Sequence, residues 1–62
     1  MAATFKMPPW VRSLLRSKEY ARVKNEADKA RAEVSMSPMH AAEWRIIADA
    51  LDRRALELKE EP

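Results

Sequence analysis

Sixty-two residues and a net charge of +2 make one small domain, and a chain this short buries only about 60% of its unfolded surface. With no cysteine and one histidine, neither a disulfide nor a metal centre can reinforce so thin a core, which leaves oligomerisation or docking on a partner. Glycine is absent and helix formers dominate, which excludes phosphate-cradling loops and tight β-hairpins and predicts an all-α fold.

Residues 1–7 carry no periodic signal and read as a flexible N-terminus. Over residues 8–16, Trp10, Val11, Leu14 and Leu15 share one side, with Arg12, Ser13 and Arg16 toward the other. That is a short amphipathic helical arm, opened by Pro8-Pro9 where a missing N–H costs nothing. At 100° per residue this apolar face points almost opposite to that of the next helix. Either the helix breaks near Ser17, with Ser17 as N-cap and Glu19 favoured in the first turn, or one long helix carries two different apolar faces; a break or kink is the first expectation.

The next helix is predicted over 18–34, a turn over 35–37 and a last helix over 38–60. Tyr20, Val23, Ala27, Ala30 and Val34 recur at alternating spacings of 3 and 4, as do Ala41, Trp44, Ala48, Leu51, Ala55 and Leu58. That is a coiled-coil-like seam on each side of one turn. With 47% hydrophobic residues, eleven apolar positions in this register arise by chance on the order of 1% of the time. Folded antiparallel, the seams pair Val34 with Ala41, Ala27 with Ala48, Tyr20 with Ala55, Ala30 with Trp44 and Val23 with Leu51, each pair of numbers summing to 74 or 75. The largest side chains then face alanines, as interdigitating layers require. Tyr20 is expected to close the open end of the hairpin, its hydroxyl reaching water. In the turn, Ser37 is the expected N-cap, Pro38 the first helical residue, and Met36 a hydrophobic staple.

The outer faces carry charge. Arg22–Glu26, Glu26–Lys29 and Lys29–Glu33 are spaced for helical ion pairs, and Arg45, Asp49, Arg53 and Glu57 form an alternating ladder; such pairs add about 0.2–0.5 kcal/mol each and mean solubility. His40 with Glu43 at i+3 reads as a surface pair, since metal binding and catalysis need more partners. No catalytic constellation, cofactor site or small-molecule pocket is visible, so the chain is expected to be non-enzymatic. No apolar run reaches the roughly 20 residues of a membrane span, and no h-region of a secretory signal stands out. With no cysteine, a cytoplasmic location is expected.

Function must therefore come from surfaces. Trp10, Val11, Leu14 and Leu15, with Ile46 and Ile47 beside the seam, form apolar sets that one helical pair cannot cover. They either complete the chain's own core or serve as partner-binding anchors with Arg12 and Arg16 as a charged rim. The first expectation is a protein–protein interaction module that self-associates, docks onto a larger protein as an accessory subunit or modulator, or both. The alternative rests on charge: residues 1–24 set Lys6, Arg12, Arg16, Lys18, Arg22 and Lys24 against Glu19, net +5, while residues 25–62 hold six bases and nine acids, net −3. That basic third could contact nucleic-acid phosphates; a membrane surface ranks below both.

Overall fold

The computed structural model describes residues 5–61. The fold is all-α: α1 (Pro9–Leu15), α2 (Tyr20–Met36), a 3₁₀ turn (Pro38–His40) and α3 (Ala41–Glu60). The two long helices pack antiparallel, and α1 lies against the pair, chiefly against α3.

The core is the expected seam short of Tyr20, with three residues added to it. Val23, Ala27, Ala30, Ala48, Leu51 and Ala55 are buried, and Val34, Ala41, Trp44 and Leu58 are partly so. Val11 and Leu14 of α1 and Ile47 of α3 join them. Ala30 and Trp44 line one surface groove and Tyr20 and Ala55 another, in keeping with the register read from the pattern. Tyr20, at the open end, keeps 38% exposure. No polar or charged residue is buried among the described residues, so hydrophobic burial, at about 25 cal/mol per Å², dominates the cohesion of the core.

The break between α1 and α2 comes where the two apolar faces diverge, in residues 16–19. Arg16 and Ser17 donate their N–H groups to the carbonyls of Ser13 and Leu14 at 3.1 and 3.0 Å, a tight finish to α1. Ser17 does not cap a helix at Lys18, because α2 starts at Tyr20 with the extended Glu19 before it. Its hydroxyl instead accepts the Glu19 N–H at 3.1 Å, a turn-forming bond two residues on. The Ser17 carbonyl, freed by the break, accepts two hydrogen bonds from Arg54 of α3, Nη2 at 3.0 Å and Nε at 3.2 Å. One guanidinium thus ties the corner to the hairpin.

The second corner also departs from its expected details. α2 runs to Met36 rather than residue 34, since nothing before Ser37 opposes the helix. Pro38 then disfavours the helical region for the residue ahead of it, and Ser37 sits at φ −126°, ψ 76°. Ser37 makes no side-chain cap. Pro38 opens a 3₁₀ turn, closed by the His40 N–H on the Ser37 carbonyl at 3.0 Å, before α3 begins at Ala41. Met36 is 73% exposed and staples nothing. No described residue has positive φ, which is how a chain without glycine turns twice.

Of the expected flexible N-terminus, residues 1–4 lie outside the described residues. Residues 5–7 have no regular structure, but Phe5 and Met7 pack against the core. No helix among the described residues is long and apolar enough to cross a membrane.

Candidate protein-protein interface

The seam leaves α1 without a place in the hairpin, and its own pattern decides which residues go inside. Val11 and Leu14, one turn apart, insert into the core with 0% and 7% exposure. Ile47, on the flank of α3 that α1 covers, is buried as well. These three of the expected docking anchors are therefore core residues of this chain, and the option of a self-completed core is realised for them. Leu15 is half-buried; Trp10 and Ile46 keep 44% and 45% exposure.

Trp10 matters because of what it touches. Its ring lies 6.3 Å from that of Trp44, tilted by 46°, within the range where aromatic pairs attract beyond their burial. The two indoles, Ala30 and the exposed Met36 line a shallow groove of about 430 Å³ between α1 and α2, edged by Glu26 and Glu33. Trp10 also lines a second hollow of about 390 Å³, together with Arg16, Arg22, Ser13 and Ser17. Its lining holds no acid.

The basic residues fall into two groups. Lys6, Arg12, Arg16, Lys18 and Arg22 are exposed and form no ion pair among the described residues. Lys24 is bound to Asp28 at 3.2 Å, and that hydrogen bond, helped by the Asp28 charge, holds its ammonium above its ordinary pKa. Arg12 and Arg16 line a common hollow with Pro9 and Ser13, and Arg16 shares the neighbouring hollow with Arg22, so the structure brings these three arginines to one side of α1.

Of the helical ion pairs spaced in the sequence, Lys29–Glu26 forms, at 3.6 Å. Asp49 leaves the ladder on α3 and meets Arg31 of α2 at 3.4 Å, where Asp52 also binds the guanidinium. The Asp52 hydrogen bond, then its charge, raises the Arg31 pKa above its ordinary value. This interhelical bridge was not anticipated from within-helix spacings, although all three residues flank the seam. Arg54 is half-buried against α1 and also reaches Glu57 at 3.4 Å. His40 Nδ1 lies 2.8 Å from Glu43 Oε1, both side chains exposed. No group of three metal-ligating side chains occurs among the described residues.

The chain matches no protein-family model, no curated protein and no solved structure.

Proposed function

We propose that this chain is a small non-enzymatic interaction module that self-associates, docks onto a larger protein, or both. The observation that carries this reading is the groove of Trp10, Trp44, Ala30 and Met36, apolar and open after the core has closed. Aromatic and methionine side chains at the centre of a charged rim are what protein interfaces use as anchors. The charged rim of that groove is Glu26, Lys29 and Glu33; Arg16 lines the hollow on the other side of Trp10, with Arg12 next to it, and Ile46 offers a separate exposed site on α3. Size argues the same way, because a domain of this length gains much of its stability by covering its surface.

A second reading has one observation in its favour: the hollow where Arg16, Arg22, Ser13 and Ser17 converge without an acid. Such a site suits a phosphate, and Trp10 beside it could stack a base. Along the groove on the other side of Trp10 the acids Glu26 and Glu33 outnumber Lys29 and oppose a polyanion that follows it.

The test pairs two double variants. Trp10→Ala with Ile46→Ala removes exposed apolar anchors while leaving the core residues Val11, Leu14 and Ile47 in place. Arg12→Gln with Arg16→Gln removes charge alone. Protein docking, read as recovery of a partner from the native host and as self-association in sedimentation equilibrium, is expected to fall more with the apolar pair. A dominant effect of the arginine pair on oligonucleotide binding, with a salt slope reduced by about one per lost phosphate contact, would replace the first reading with the second.

A further inference from the structure

The face of α2 that borders α1 carries four charges at spacings of 4, 3 and 4: Arg22, Glu26, Lys29 and Glu33. At 100° per residue they fall within a narrow arc, so they form one stripe along the helix. Its signs read plus, minus, plus, minus, which makes it antisymmetric about its own centre, between Ala27 and Asp28. Laid antiparallel on a second copy about that point, Arg22 meets the partner copy's Glu33 and Glu26 meets its Lys29, each pair of numbers summing to 55. Both contacts occur twice. A twofold interface requires a self-complementary patch of this kind.

Two details single out this face. Only the inner pair closes within one chain, Lys29 with Glu26, and weakly, at 3.6 Å with Lys29 still 66% exposed. The outer charges, Arg22 and Glu33, have no ion-pair partner among the described residues. The stripe also edges the open apolar groove of Trp10, Trp44 and Met36, so the surface combines apolar anchors with a charge pattern that fixes orientation. The molecule measures 40 × 24 × 17 Å, which gives such a side room for the roughly 800 Å² per partner of a standard interface.

We infer that the chain forms a twofold-symmetric homodimer through the α1–α2 face, with the two copies of α2 antiparallel and Arg22 of each paired with Glu33 of the other. This rests on the interaction-module reading and names its surface and partner. The alternating signs favour a second copy over a nucleic acid, because half of the stripe repels phosphates.

Sedimentation equilibrium on the full chain at low salt tests it. Wild type is expected to dimerise. Arg22→Glu and Glu33→Arg are each expected to weaken association by about tenfold or more, because like charges then meet twice. An equimolar mixture of the two variants is expected to recover wild-type affinity, since in the mixed dimer every Glu at one position again meets an Arg at the other. Helical circular dichroism checks that both variants fold. If either charge reversal lowers helicity, Arg22→Gln and Glu33→Gln replace them, and each is expected to weaken association by a smaller factor. Folded variants that fail to rescue each other overturn the register. Variants, reversed or neutralised, that dimerise as well as wild type overturn the surface while leaving self-association standing. A wild-type monomer that still captures a larger protein overturns the dimer but not the interaction module. A monomer that binds a single-stranded oligonucleotide through Arg22, losing affinity steeply with salt, overturns both.

Discussion

Ala27 is fully buried in the seam, and Ala21, six residues earlier on the same helix, is exposed. Extending each to leucine separates packing from propensity, since both residue types favour helix. Ala27→Leu is expected to cost about 1–3 kcal/mol by overfilling the seam, and Ala21→Leu no more than about 0.5 kcal/mol. Urea melts giving equal midpoints would show that the two helices do not interlock at Ala27. On α1 the same logic runs in reverse. Leu14→Ala is expected to cost about 2–4 kcal/mol by leaving a cavity, and Trp10→Ala nearer 1 kcal/mol, because the indole is 44% exposed and loses mainly its contact with Trp44. The opposite order would place Trp10 in the core and Leu14 at the surface. The sequence could not order these two, because both belong to one amphipathic face and periodicity does not say which part of a face its neighbours reach.

At the scale of elements, α1 is only seven residues long, too short to be helical by itself. Its burial of Val11 and Leu14 and the clasp of Arg54 on the Ser17 carbonyl hold it in place. Arg54→Met keeps most of the aliphatic contact but removes two charge-assisted hydrogen bonds. It is expected to cost about 1–2 kcal/mol and to release α1 before the hairpin. Amide hydrogen exchange checks this: protection over residues 11–16 should fall while that of Val23–Ala30 and Ala48–Ala55 persists. A uniform loss would mean that α1 and the hairpin open together. The existence of three helices, their order and the seam were all legible in the residue pattern, because a 3-4 spacing of apolar residues has one reading when it is sustained over many turns. The corners were legible only as locations. Capping by Ser17 and Ser37 followed residue preference, whereas the actual bonds depend on Arg54, thirty-seven residues away, and on the proline geometry at Ser37. The Arg31 bridge to Asp49 and Asp52 needed the packed pair before it could be seen.

The whole molecule combines a narrow core, rich in alanine, with an open aromatic groove. A domain balanced this way is expected to melt at a temperature that rises with its own concentration, by mass action on the associated form. Differential scanning calorimetry over a wide concentration range checks this, and an invariant midpoint with a sharp transition would identify a self-sufficient monomer. Raising salt is expected to weaken the proposed dimer, as exposed ion pairs lose strength with ionic strength. The candidate site was legible in its members more than in its shape. Trp10 stands out as an unmatched residue of a short chain and Arg16 and Arg22 as part of its basic third, but Met36 and Trp44 join the groove only because α1 crosses there. Their assigned places, a staple and a core position, concealed it.

With no glycine in the chain and no positive φ among the described residues, neither corner relies on a conformation that a side chain would forbid. The unfolded ensemble is correspondingly poorer in states than that of a glycine-bearing chain of equal length, so less order has to be imposed on collapse. A chain with few large core residues thus gains on the disordered side of the equilibrium what it lacks on the ordered one. Ala32, exposed in the interior of α2, reports this directly: Ala32→Gly removes no core contact, yet is expected to lower stability by about 0.5–1 kcal/mol. For the same reason the described non-proline positions accept alanine without the strain that a left-handed position would impose.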